Sequence, residues 1–307
     1  MSSITPTGPP TFIPPSQYGY TPHEYVAVIF LVVFGMSTIL HIGQATYYRM
    51  WWLFPTACLC GIGEVIGWGG RLWSSFSPDL HKPFMMQIVS LVVSPTPLIA
   101  VNFVLLSWIV IQLGPRYSWL SPRWYTVIFL SSDIIALLVQ AAGGSIAGAA
   151  ISKTLIGSHS QGAHIMLGGI LFQFVAMITY CCLAGDFLMR YAGDRPVKLN
   201  SNPSTRGVLL PGTKRMIYAL AFSTLVLFIR SIYRIIELAT GWHSTFMLNE
   251  LYFNILDGGM VALAIVVTNL EHPGRLIGPR KPEGPADYGY GMKMKVGRGQ
   301  SEEDGLV

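Results

Sequence analysis

Long apolar runs separated by short polar segments set the pattern of this 307-residue chain. A helix crosses about 30 Å of hydrocarbon with about 20 apolar residues. Seven runs meet that length: Tyr25–Ala45, Trp51–Trp68, Pro83–Leu113, Trp124–Ile146, Gly162–Gly185, Lys214–Glu237 and Leu248–Leu270. The third is the longest and holds Pro95 and Pro97, which predict a kink and backbone carbonyls freed from the helical ladder. The second is short and closes on Gly67-Trp68-Gly69-Gly70. Residues 1–22 are rich in Pro, Ser, Thr and Gly and contain no Lys or Arg, so they read as a disordered tail rather than a signal peptide. The polar segment 273–307, closing on Glu302-Glu303-Asp304, reads as a second disordered tail. The expected organisation is all-α: one seven-transmembrane helix bundle over 23–272, flanked by two tails.

Composition agrees with that reading. Hydrophobic residues make up 51% of the chain and charged ones 11%, against about 25% charged in a soluble domain. The basic residues lie in loops flanking the runs rather than in one stripe, which argues against nucleic acid as a partner. Their distribution also gives an orientation. Fifteen of the 20 Lys and Arg fall on one side, in the loops after runs one, three and five and in the tail; Arg71, Lys82 and Lys153 fall on the other, and Arg230 and Arg234 lie inside run six. Basic residues are retained on the cytoplasmic side, so the amino terminus is expected outside and the carboxyl terminus in the cytosol. Tyr47, Tyr48, Trp51, Trp52, Trp119, Trp124 and Tyr125 stand where headgroup layers should be. Cys58, Cys60, Cys181 and Cys182 sit in apolar runs, with no disulfide or zinc spacing.

Candidate chemistry lies in the polar residues inside the runs, since hydrocarbon penalises each one. Run two carries Glu64 and ends near Arg71; run three carries Gln87 and Asn102; run four has Asp133 and Gln140, and run five Gln173. Run six has Arg230, Arg234 and Glu237 at helical spacing, and run seven has Asp257 with Glu250 at its mouth. By the 1.5 Å rise per residue, most lie in the outer half and Asp257, Asp133 and Gln173 nearer the middle, predicting a cavity open outward and floored near the midplane. Two readings stand side by side: a polar pocket that receives a substrate, or charge-paired braces between helices. Gly143-Gly144 through Ala150 and Gly168-Gly169 predict close helix packing. His159, His164 and His243 share the outer side but lack zinc-ligand spacing, so no metal and no cofactor is expected. Run seven has no Lys for a retinal Schiff base, and no Walker-type phosphate loop is present.

Several blocks, in order, carry a resemblance. They are Gly63-Glu64-Val65-Ile66-Gly67-Trp68-Gly69-Gly70-Arg71, Asp133 with Gln140-Ala141-Ala142-Gly143-Gly144, and Gly162 with Gly168-Gly169 and Gln173. Arg230-Ser231-Ile232-Tyr233-Arg234-Ile235-Ile236-Glu237, Asn249-Glu250 with Asp257, and Glu271-His272-Pro273-Gly274 complete the set. Their order and spacing over seven runs resemble the fungal lipid-translocating exporter family, the RTA-like or aminocholesterol-resistance-like seven-transmembrane proteins. The resemblance implies a fungal membrane protein whose relatives are linked to sphingoid-base release, aminosterol resistance and porphyrin or haem traffic; it is expected in the plasma membrane, with an internal membrane as the alternative. It implies no catalytic residue. The leading expectation is a non-enzymatic exporter of amphipathic lipids that confers tolerance to them, with membrane lipids as partners. Glu64, Asp257 and Glu250 would attract an amine, and Arg230 and Arg234 would keep those acids ionised. The alternative is a seven-helix receptor or lipid-stress sensor acting through the basic loop 186–215 and the tail. A membrane hydrolase would need a metal or nucleophile set that the sequence does not offer.

Overall fold

The computed structural model describes residues 22–77, 80–152, 156–197, 206–240 and 249–276, and the side chains of 147–160 lie outside that description. The expected tails 1–22 and 273–307 fall almost wholly outside it, as do Lys153, Lys198, His243 and the side chain of His159. All regular structure among the described residues is helical. Without water in hydrocarbon, a helix is what satisfies the backbone of each run internally. Seven helical spans follow: span 1 Glu24–Tyr47, span 2 Trp51–Phe76, span 3 His81–Leu113, span 4 Pro122–Ile146, span 5 Gln161–Ala192, span 6 Pro211–Thr240 and span 7 Glu250–Leu276. This is an integral membrane protein with a seven-helix bundle. The face where span 1 begins is called the amino face, and the face where span 7 ends the carboxyl face.

Successive spans lie side by side, and span 7 closes the ring against span 1. Span 3 also meets spans 5, 6 and 7, so it forms the central post. Two thirds (67%) of its most apolar stretch is buried, against 28% for spans 1 and 5. The outer faces are apolar as well: Val32, Met36, Ile39, Ile134, Ile135 and Leu138 are exposed and meet lipid. Span 2 continues past its glycine cluster to Phe76, beyond the expected end at Trp68. Those glycines are contact points rather than an end. A Cβ on Gly67 would stand 2.3 Å from Leu91 Cδ2, and one on Gly70 would stand 3.0 Å from the Gln87 nitrogen, so their bareness lets span 3 approach closely.

Three irregularities shape the interior. Span 2 opens with a 3-10 turn, Trp51–Leu53, and a π turn, Phe54–Cys58, around Pro55. Span 3 is interrupted at Ser94, between His81–Val93 and Pro95–Leu113, as the two prolines predict. Span 7 widens into a π turn at Asn254–Gly259, which carries Asp257; such turns recur at functional sites. Gly258 within it faces Trp68, with only 2.4 Å between a built Cβ and the indole. Helical backbone also runs past the expected limit at 272, through Pro273–Leu276. Of the expected interface aromatics, Tyr47, Trp51, Trp119 and Trp124 are exposed, but Tyr125 is buried, its hydroxyl 2.9 Å from that of Ser118.

Candidate functional site

Pro95 has no N–H, so the carbonyl four residues before it, that of Leu91, loses its helical donor. Arg230 of span 6 fills the vacancy: its Nη2 donates to the Leu91 oxygen at 2.7 Å. One turn away the Ser94 hydroxyl donates to Glu64 Oε1 of span 2 at 2.5 Å. The break in span 3 is thus held from two sides by residues that the sequence singles out.

Arg230 also places its Nε 2.9 Å from Asp257 Oδ1. Arg234, one helical turn on, donates from Nε to the same Asp257 oxygen at 2.8 Å and from Nη2 to Oδ2. Its Nη1 donates to Glu237 Oε2 at 2.8 Å, and the Tyr233 hydroxyl donates to the other Glu237 oxygen at 3.2 Å. The π turn of span 7 is what brings one carboxylate between two guanidiniums. Arg230, Arg234, Glu237, Asp257 and Glu64 are all at least nine-tenths buried. Two guanidiniums here meet three carboxyls. Of those three, Glu64 has no cation within ion-pair distance among the described residues.

Toward the amino face a second pair continues the file. Arg71 Nη2 donates to Glu250 Oε1 at 2.8 Å, and the Arg71 guanidinium lies over Phe253 at 4.7 Å, with that of Arg234 over the same ring at 5.5 Å. His23, just before span 1, donates its backbone N–H to Glu250 Oε1 at 3.1 Å, and its Nδ1 lies 2.5 Å from Oε2. Gln87 is buried beside Gly70 on spans 2 and 3.

Asp133, Gln140 and Gln173 form a separate group on the other side of span 3. Gln140 Nε2 donates to Gln173 Oε1 at 3.1 Å, and Gln173 Nε2 donates to Thr96 Oγ1 at 3.4 Å. Asp133 is 2% exposed, and among the described residues neither of its oxygens has a hydrogen bond of regular geometry, though Gln173 lies within reach. The sequence lists these residues together with the arginine cluster; the structure divides them, with Ser94 at the break bonded to Glu64 and Thr96 bonded to Gln173.

Two of the three acids expected to attract an amine already hold cations, Asp257 both arginines and Glu250 Arg71 with His23 beside it, whereas Glu64 holds Ser94. Cavities among the described residues lie elsewhere. One of about 440 Å³ lies between spans 3, 5 and 6, around Leu106, Tyr180, Ala184 and Thr224. Two more, of about 470 and 410 Å³, lie along the seam of spans 1 and 7. The freed carbonyls were expected from Pro95 and Pro97, but sequence reasoning missed Arg230 as the donor to Leu91 and missed Ser94 and Thr96, although Ser94-Pro95-Thr96-Pro97 places two hydroxyls at one depth. Among the described residues no group of His, Cys, Asp and Glu is arranged to hold a metal; His164 is exposed.

The sphingoid long-chain base transporter RSB1 of Saccharomyces cerevisiae (strain ATCC 204508 / S288c) is 29% identical over 298 residues, covering 89% of this chain and 77% of the relative. Protein RTA1 of that strain is 26% identical over 83% of this chain and 84% of the relative. Protoporphyrin uptake protein 1 is 23% identical over 81% of this chain and 89% of the relative. No solved structure matches. The family model described as RTA1 like protein matches residues 57–280, from the π turn of span 2 to beyond span 7, and the chain belongs to that family.

Proposed function

We propose that this protein is a non-enzymatic transporter of amphipathic lipids, sphingoid long-chain bases foremost, in the plasma membrane of a fungus. The amino face lies outside and the carboxyl face in the cytosol, following the bias of basic residues. The carrying observation is the unequal charge of the buried cluster: two arginines against three carboxyls, with Glu64 the one left without a cation among the described residues. A buried carboxyl held by a serine, with no cation paired to it among the described residues, is a place for the amine of a passing substrate, and the likeness to long-chain base transporters over 89% of the chain points to an amine-bearing lipid. The arginine–aspartate ties hold span 3 at its break. Moving that post relative to spans 6 and 7 is the change that would pass a head group across.

The cellular test compares fungal cells lacking the gene with cells carrying the wild-type or Glu64→Gln chain. The wild type should restore long-chain base release and tolerance, and Glu64→Gln should reach the membrane at a normal level without restoring either. Equal tolerance in cells with Glu64→Gln would remove Glu64 from the path.

A further inference from the structure

The seam of spans 1 and 7 near the carboxyl face carries polar atoms that have no hydrogen-bond partner among the described residues. Hydrogen bonds to fixed backbone groups settle the role of each. Asn269 Nδ2 donates to the Ser37 carbonyl at 3.2 Å, so its Oδ1 is the free atom, and it is an acceptor. Gln44 Nε2 donates to the Asn269 carbonyl at 3.2 Å, which leaves Gln44 Oε1 as a second bare acceptor. His272 Nδ1 accepts from the Gly274 N–H at 3.1 Å, so in the neutral ring Nε2 carries the proton and is a bare donor. Asn269 and His272 are 7% and 1% exposed. Groups so placed carry a desolvation cost unless something completes them.

Gln44, Asn269 and His272 line one groove of about 410 Å³, with Gly43, Leu40 and Arg275 on its walls. Further along the same seam lies an apolar crevice of about 470 Å³, lined by Phe30, Val33, Ala262, Leu263 and Val266. Two acceptors and one donor at headgroup depth, with an apolar crevice beyond, match an amphiphile whose head bears an amine and a hydroxyl and whose tail is one hydrocarbon chain. The amine donates to the two amide oxygens and the hydroxyl accepts from His272. At the rim Arg275 adds positive charge, but it leans on Glu271, whose other oxygen accepts from Arg215.

We propose that this groove is a head-group site for a sphingoid long-chain base in the leaflet at the carboxyl face, where the lipid docks before it reaches the Glu64 cluster. The proposal rests on the transport reading above and deepens it.

Gly43 provides the test, since it lines the groove and a Cβ built on it meets nothing within 4 Å, so a large side chain there is aimed at filling the groove. Purified full-length chain in phosphatidylcholine liposomes is irradiated with a sphingoid base bearing a diazirine near its head, and transport of a fluorescent sphingoid base is followed in parallel. Label should fall on the peptides holding Gln44 and Asn269. Gly43→Phe and Gln44→Leu should lose label and slow transport by about fivefold or more, the worth of a lost polar contact. Gly43→Ala and Gly35→Phe, the latter also on span 1 and facing open space, should match the wild type. Label confined to the crevice around Tyr180 and Thr224, or full transport and unchanged label in Gly43→Phe, would overturn the site. Wild-type chain that labels in the groove but moves no lipid would instead count against the transport reading, since labelling needs no turnover.

Discussion

Arg230 donates to the carbonyl of Leu91, the one oxygen that Pro95 strips of its helical donor. A proline in one span and an arginine in another thus complete a single hydrogen bond across the bundle. The same guanidinium lies beside Asp257, so the break in span 3, the charge in span 6 and the π turn in span 7 form one linked unit.

That linkage predicts non-additive mutations. Pro95→Ala returns an N–H to position 95, which can rebond Leu91. Arg230→Met removes the external donor and half of the cation support for Asp257; on its own it should cost about 3–5 kcal/mol, as expected when one member of a buried pair is lost. With Pro95→Ala also present, the loss should shrink by about 0.5–1.5 kcal/mol, the net worth of one hydrogen bond. Thermal unfolding of the four detergent-solubilised proteins closes the cycle. Strictly additive shifts would separate the proline from the arginine.

Gly258 should resist any side chain. A Cβ there stands 2.4 Å from the Trp68 ring, which is itself buried and stacked on Phe30. Gly258→Ala should destabilise by about 1–3 kcal/mol through overpacking. Gly168→Ala, with nothing within 4 Å of its Cβ, should be neutral or slightly stabilising through helix propensity. The readout is the melting temperature of each variant.

At the carboxyl face, outside the spans, Asp194 sits in a left-handed turn at φ 50°. It accepts a hydrogen bond from the Tyr117 hydroxyl and, at 3.1 Å, one from Arg116, with Arg206 3.9 Å away. The Tyr117 bond first, then the arginines, hold its carboxyl below the ordinary value. A depressed value means that the ionised form favours the folded loop. That contribution is present above the ordinary carboxylate range and is lost as pH falls through the depressed value. Hydrogen-exchange protection of the Val197 amide, which donates to the Arg116 carbonyl at 2.9 Å, should therefore hold at neutral pH and fall in acid below about pH 4. Asp194→Asn, which keeps a residue tolerant of the left-handed turn, should abolish that acid step. An unchanged step in Asp194→Asn would assign it to another group.

Much of this was legible in the sequence, and for physical reasons. Hydrocarbon forces each crossing to be long, apolar and helical, so all seven spans and the break at Pro95 could be read directly. The charged residues could be named because hydrocarbon makes each conspicuous. Their pairing could not: that Asp257 serves both arginines depends on a π turn that leaves no mark in the residue pattern. Tyr125 shows the same limit, since an interfacial aromatic and a buried one with a Ser118 partner look alike in one dimension. The glycines of span 2 misled as an end signal because bareness at a close contact resembles bareness at a terminus. Gln44 passed unnoticed, and His272 was named only within a family-like block, because nothing local shows that their polar atoms go unmatched.

The most direct measurement of the central claim uses the purified chain alone in liposomes loaded with a fluorescent sphingoid base, with a quencher added outside. The account predicts that wild-type protein carries the base across far faster than protein-free liposomes, and that Glu64→Gln, though folded, does not. Equal rates for wild-type and protein-free liposomes would contradict it.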